Sequence, residues 1–376
     1  MRIGIDIRAL RAVRTGIGRF VVNLLDKLAI RDNENNYVLY FNSMKGGLPD
    51  DVAFNSKFEI KCTRIPNRLL NISWAYTPFP PVELLLRDID VFHSPNFQMP
   101  PTRKASRVVT VHDLVFLRYP EMAIPSSLRH YRPRIKYYLN RSDLIIAVSN
   151  ATASDIVSYL NINENKIEVV HQGTVTISKS SPEEINLMRS KFGIEGDYIL
   201  FVGCIEPRKN LVRLFKAFEI SGLSSHFQLI LAGLKGWHTD ELFQLRRSLK
   251  CSDKIKWLNY VSDSELASLY SAASFFVYPS IYEGFGLPIL EAMSAGCPVL
   301  TSSVSSMPEV AGDAALYVDP GNVESIAEGL QQLANDTALR TKLSEMGYKR
   351  VEMFKWENTA DKMIEVYKRA YEIKRF

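Results

Sequence analysis

The chain has 376 residues, 46% hydrophobic and 23% charged, with a formal net charge of +5. This composition excludes disordered and fibrous classes, and the length favours two domains. No run reaches the roughly 18 apolar residues of a membrane helix, the start Met1-Arg-Ile-Gly-Ile-Asp-Ile shows no signal-peptide h-region, and cysteines 62, 204, 251 and 297 lack CxxC spacing, so a cytoplasmic protein without zinc or disulfides is expected.

Short apolar runs predict strands at 2–7, 36–42, 90–93, 107–112, 143–148 and 167–171, with helices at 17–30 and 151–160. A polar stretch at 174–184 follows, and the pattern restarts. Strands at 198–202, 227–232, 255–258, 275–278 and 298–301 then alternate with helices at 209–220, 239–249, 263–272 and 287–295, and helices at 323–335 and 338–353 follow. Strands separated by such helices predict parallel sheets covered on both faces. Two successive series predict two doubly wound, Rossmann-like α/β domains. The first covers 1–175 and the second 190–353, with a linker near 173–196. Residues 354–356 break the periodicity, and Ala360, Met363, Ile364, Val366, Tyr367 and Ala370 then mark one last amphipathic helix over 357–374. Sheets of this type bind ligands in loops at the carboxyl ends of their strands.

Two such loops stand out in the second domain. Glu283-Gly-Phe-Gly-Leu-Pro-Ile-Leu-Glu291 follows a buried strand, with Gly284 and Gly286 in the turn and Pro288 suited to the first turn of the next helix. Open N–H groups at that helix start form an anion site. Glu291 falls in the first turn on this reading, where an acid also complements the helix dipole. Glu283 stands before the glycines, facing the cleft mouth. Two acceptor-only carboxylates around an anion-friendly turn fit a ligand carrying both hydroxyls and phosphates, as a nucleotide sugar does. Val202-Gly203-Cys-Ile-Glu-Pro-Arg208-Lys209-Asn210 is the second loop. Cations at a helix start oppose the macrodipole, which a bound diphosphate would offset; solvated surface cations are the plainer reading.

Other patterns carry weaker signals. Thr15-Gly16-Ile-Gly18-Arg-Phe20 lacks the third glycine and short turn of a dinucleotide fingerprint. Asp88-Ile-Asp90 has metal-binding spacing, yet a capped turn before the strand at 90–93 is the expected role. His112 ends a strand, with His93 the weaker strand-end candidate. Residues 129–141 hold five Lys/Arg and three tyrosines, which reads as a solvated helix face or as a surface for an anionic substrate or lipid headgroups. Nothing resembles a nucleic-acid module.

Glu-x7-Glu at 283–291, VGCIEPRKN at 202–210, LAGLKGW at 231–237, TVHDL at 110–114 and TGIGRF at 15–20, in that family's order along the chain, resemble a retaining glycosyltransferase of family 4 with the GT-B fold. The resemblance implies transfer of a hexose from a UDP- or GDP-sugar to a saccharide or lipid-linked acceptor hydroxyl, in bacterial polysaccharide assembly and without a metal or other cofactor. It implies that Glu291 holds the ribose and Glu283 the donor sugar. Arg208 and Lys209 would neutralise the diphosphate, backbone amides of Phe285, Gly286 and Leu287 would cradle donor oxygens, and Gly203, Gly284 and Val261 would border the nucleotide. His112 would line the first domain's cleft wall beside Gly16 and Gly18. Many relatives carry an arginine where this chain has Cys204, so the diphosphate falls to Arg208 and Lys209. Relatives also return the last helix to the first domain. The chemistry implied is same-face attack, in which a donor phosphate oxygen takes the acceptor proton. Peripheral contact with the inner membrane face through 129–141 stays open. So do two other readings, a different GT-B enzyme such as an epimerase or phosphorylase and a non-catalytic sugar-binding subunit.

Overall fold

The computed structural model describes residues 1–11, 16–44, 48–49 and 54–374. It divides into two compact units: Met1–Gly173 with Trp356–Phe376, and Thr174–Lys355.

Unit 1 carries seven strands: β1 (Arg2–Asp6), β2 (Asn36–Asn42), β3 (Phe58–Thr63), β4 (Val91–Ser94), β5 (Ser106–Val111), β6 (Leu144–Ala147) and β7 (Ile167–Val169). Their order is β3-β2-β1-β4-β5-β6-β7, and every pair is parallel. Alternation along the strands feeds two cores, one on each face. Ile3, Ile5, Leu39 and Val108 join the helices Gly16–Arg31 and Trp356–Ile373 on one side. Val38, Tyr40, Phe92 and Val109 join Leu70 and Trp74 of the helix Asn67–Tyr76 on the other.

Unit 2 carries β8 (Asp197–Val202), β9 (Phe227–Ala232), β10 (Ile255–Trp257), β11 (Phe275–Tyr278), β12 (Val299–Ser302) and β13 (Ala315–Val318), ordered β10-β9-β8-β11-β12-β13. Every residue of β11 and β12 is buried, as a strand covered on both faces requires. Each sheet reverses its strand order once, at β1/β4 and at β8/β11. The loops leaving those strands flank the two switch points, where doubly wound sheets open a crevice.

Several elements escape the periodicity, among them four with visible causes. β3 is an edge strand whose burial is broken by Glu59 and Lys61, so no apolar run marks it. The helix Asn67–Tyr76 buries only Leu70 and Trp74, and β13 is four residues long. The helix Pro182–Phe192 falls where the sequence reads as linker. It opens on a capping box at Ser181 and Glu184, and the preceding segment is pinned to unit 2, with the Ser180 N–H 3.1 Å from Ser271 Oγ. The expected linker therefore contains structured unit 2 chain, and the crossing narrows to residues 173–174 and 355–356.

Candidate functional site

At the β8/β11 switch point, the loop after β8 packs on the loop after β9 through facing glycines. A Cβ on Gly233 would lie 2.0 Å from the Gly203 carbonyl oxygen, so only glycine permits the approach. The Gly203 N–H donates to Ala232 O at 2.9 Å, and the Ile205 N–H to Leu234 O at 2.9 Å. Arg208 and Lys209 occupy a separate 3-10 turn, Pro207–Lys209, and the helix begins only at Leu211. The expected helix over 209–220 is thus shorter, and the cations precede it. Asn210, with φ 63°, separates the two, and its Nδ2 donates to Pro279 O at 3.0 Å and Pro320 O at 2.7 Å.

The turn after β11 is built as tightly. Gly286, with φ 110°, starts the helix Leu287–Ser294, a conformation that costs glycine little. Pro288 has no N–H, and the Ile289 N–H donates to Gly286 O at 3.0 Å, so neither position can offer a donor to a ligand oxygen. Ser305 Oγ accepts from the Glu283 N–H at 3.2 Å and donates to Glu283 O at 2.7 Å. The Ser306 hydroxyl reaches Glu283 O at 2.9 Å and Phe285 O at 2.6 Å. Neither serine stands out in the sequence, where the local sign is a serine-rich run before Met307.

Glu283 is buried, contrary to its expected place at an open mouth. Its Oε1 accepts from Lys209 Nζ at 2.6 Å, and its Oε2 from Arg208 Nη1. Arg208 also pairs with the buried Glu206 at 2.6 Å. Lys209 Nζ donates to Tyr278 Oη at 2.5 Å and stands 4.7 Å from its ring centroid. Burial pushes the Glu283 carboxyl up, but Arg208 and Lys209 outweigh it and hold the group at about 2. Burial and the neighbouring Arg208 draw the Lys209 ammonium below its usual range. Tyr278 and Glu206 complete this cluster, and no sequence pattern singles out either.

Glu291 lies in the second turn of its helix, not the first, so dipole complementation does not account for it. Its Oε2 accepts from Tyr270 Oη at 3.1 Å. Gly284 and Phe285 are buried within the turn, and Phe285 packs edge-on to Phe354 at 5.8 Å. Val261 is half-buried after β10, two residues beyond Asn259, whose carbonyl accepts from the Gly233 N–H at 2.8 Å.

In unit 1, His112 follows β5 directly. Its Nε2 donates to Pro95 O at 2.9 Å, leaving Nδ1 to accept from Gln172 Nε2 at 3.2 Å. Burial lowers its pKa, so the neutral ring is favoured. Phe20 meets it edge-on at 5.0 Å. Gly16 and Gly18 are not a loop: they are the first and third residues of the helix Gly16–Arg31, and Thr15 lies outside the described residues. His93 is fully buried between Thr110 Oγ1 and Tyr367 Oη, each 2.8 Å away, and is a packing group rather than a site residue. Asp90 Oδ2 accepts from the Arg2 N–H at 2.7 Å, and Asp88 O from Arg2 Nη1 at 2.8 Å, at the amino end of β4. Among the described residues no group of three or more His, Cys, Asp or Glu could hold a metal.

The description "Glycosyltransferase Family 4" matches residues 14–176, and "Glycosyl transferases group 1" matches residues 184–350. The chain is 34% identical over 369 residues to the O-antigen chain mannosyltransferase B of Escherichia coli, covering 94% of this chain and 96% of that one. The chain belongs to the group 1/family 4 glycosyltransferases. Solved structures of the glycosyltransferase fold agree along the whole length. Sucrose-phosphate synthase from Thermosynechococcus elongatus has a TM-score of 0.77 at 20% identity, with 99% of each chain covered. Anabaena HepE in complex with UDP-glucose has a TM-score of 0.70 at 17% identity, covering 97% of this chain and 99% of that one. At those identities they show the fold alone, and that fold is GT-B.

Proposed function

We propose that unit 2 of this glycosyltransferase binds the nucleotide and hexose of a UDP- or GDP-sugar, and that the hexose passes to a saccharide or lipid-linked acceptor hydroxyl held by unit 1, with retention and without a divalent metal. The observation that carries this reading is the buried Glu206–Arg208–Glu283–Lys209 cluster at the β8/β11 switch point. Its two carboxylates and two cations cancel, so an arriving diphosphate competes with Glu283 for Arg208 and Lys209. The leaving diphosphate is then stabilised by groups already in place. Backbone amides at Phe285, Gly286 and Leu287, with Gly284 alongside, border its oxygens. Glu291 holds the ribose, and Gly203 and Val261 line the nucleotide. A carboxylate held at about 2 by two cations is a weak nucleophile, so Glu283 orients sugar hydroxyls and does not form a covalent intermediate. Attack comes from the same face, and a donor phosphate oxygen receives the acceptor proton. His112, neutral and with both ring nitrogens engaged, positions by shape beside Gly16 and Gly18 and does not cycle a proton.

The relative's name supports mannose as the hexose and O-antigen chain assembly as the setting. Among the described residues no helix is long and apolar enough to cross a membrane. Thermal stabilisation by UDP, GDP and ADP tests the donor. A ligand at a hundredfold its dissociation constant adds about 2.7 kcal/mol, and no shift with any of the three would remove the donor site. Transfer from the chosen sugar should survive EDTA; rescue by Mg²⁺ after a complete loss would overturn the metal-free mechanism.

A further inference from the structure

The chain passes between the units twice, at residues 173–174 and 355–356. On the unit 2 side both crossings are tied to the helix Leu287–Ser294 or to the turn that opens it. Phe354, just before the second crossing, is buried edge-on against Phe285 of that turn at 5.8 Å. Its carbonyl accepts from the Thr174 N–H at 2.9 Å, which holds the two crossings to each other. The Ile177 N–H then donates to Ser294 Oγ at 3.1 Å, and that hydroxyl donates to Glu291 O at 2.9 Å.

On the unit 1 side both crossings end on His112. Gln172, beside the first, donates from Nε2 to the His112 Nδ1 at 3.2 Å. Trp356, just after the second, packs on Phe20 at 5.8 Å, and Phe20 packs on the His112 ring at 5.0 Å. There is no slack between them: a Cβ on Gly173 would lie 2.4 Å from Trp356 N. Trp356 Nε1 is buried and has no hydrogen-bond partner among the described residues. A buried N–H left unpaired is costly, so a displacement that gives it an acceptor is favoured.

We propose that Gln172, Ser294, Phe354 and Trp356 are positioning residues for the transfer, which make the placement of the His112 ring depend on occupancy of the donor turn. A diphosphate on the turn amides moves Phe285 against Phe354. Close-packed side chains transmit such a displacement instead of absorbing it. The two ties through Phe354 and Ser294 carry it to the crossings, and Trp356 and Gln172 pass it to His112. The unit 1 ring is then set for the acceptor only when a donor is bound. This rests on the proposed donor site in unit 2 and on His112 as the lining residue of unit 1.

The test labels the full chain with 5-fluorotryptophan and with histidine carrying carbon-13 at Cε1. The 4 tryptophan and 6 histidine signals are assigned by substitution. They are followed by magnetic resonance as UDP, GDP or ADP is added, while calorimetry reports binding. In the parent, the nucleotide that binds should shift both the Trp356 and the His112 signals. F354L/S294A cuts both ties at their unit 2 ends and leaves the contacts of His112 with Pro95, Gln172 and Phe20 in place. It should still bind the nucleotide, with most of both shifts gone. Leu333→Ala empties a buried position elsewhere in unit 2 and should keep them. Binding to the parent without a shift at Trp356 or His112 would overturn the proposal with no variant needed, and would leave the donor site standing. Shifts of parental size in F354L/S294A would also overturn it, because the nucleotide would then reach His112 by another path. So would an equal loss in Leu333→Ala, which would mean general loosening. Heat from none of the three nucleotides would remove the donor reading, and this proposal with it.

Discussion

At the scale of single residues, the cluster around Glu283 sets opposite expectations for its members. Lys209→Ala removes a buried cation that a diphosphate would contact. Nucleoside diphosphate affinity should then fall roughly 30-fold or more, a loss of about 2 kcal/mol typical of a charge-assisted contact. Glu283→Gln removes the carboxylate that competes for the same cations. Stability without nucleotide should fall, by up to about 3–5 kcal/mol for a broken buried pair. Nucleotide should restore more stability to this variant than to the parent, while transfer drops by orders of magnitude. Paired melting curves with and without nucleotide check both, and a Glu283→Gln protein that loses nucleotide binding as Lys209→Ala does would make Glu283 a strut of the loop. The residue types of this site are legible in the sequence because each loop is a short local pattern. Their pairing is not, because Lys209 and Glu283 stand 74 positions apart and meet only when β8 and β11 become neighbours. Tyr278 is hidden for a related reason: in the chain it reads as one more aromatic in a buried strand.

At the scale of elements, legibility follows burial. Strands with continuous apolar runs, such as β8 and β11, announce themselves, and so does the last helix, whose stripe from Ala360 to Ala370 is buried in the unit 1 core. The helix Asn67–Tyr76, anchored by two residues, carries too little pattern to be read, although it lines two cavities of unit 1. The last helix is fixed by more than apolar contact. Tyr367 Oη meets His93 Nδ1 at 2.8 Å, Thr359 Oγ1 donates to His171 O at 2.9 Å, and the solvent-accessible pairs Lys27–Glu357 and Arg31–Asp361 add little. Tyr367→Phe keeps the packing volume and strands a buried ring nitrogen. A loss of about 1–3 kcal/mol is expected in denaturant unfolding. A change below about 0.5 kcal/mol would mean that His93 finds another partner and that packing alone holds the helix.

For the whole molecule, each unit holds a strongly perturbed buried group, neutral His93 in unit 1 and charged Glu283 in unit 2, and acid should separate them. In unit 1, burial, with His112 nearby, lowers His93 to about 3. A histidine in the unfolded chain takes its proton near 6.5. Below that pH the unfolded state binds a proton that the folded unit refuses, so the stability of unit 1 is full above 6.5 and drains as pH falls toward 3. His112, also lowered by burial, adds in the same direction. Between pH 7 and 5, His93 alone accounts for about 2 kcal/mol. In unit 2 the strongly perturbed acid is Glu283, held at about 2. Its contribution is complete above about 4.5, the usual carboxyl value, and is lost only as pH falls from there toward 2. Hydrogen exchange at pH 7 and 5, corrected for the intrinsic rates, should therefore show protection falling in β4, β5 and the last helix while β8, β11 and the helix Leu287–Ser294 hold. His93→Gln should flatten the unit 1 response, since glutamine does not titrate. Equal loss in both units, or loss in unit 2 first, would show that the buried histidines do not govern acid stability.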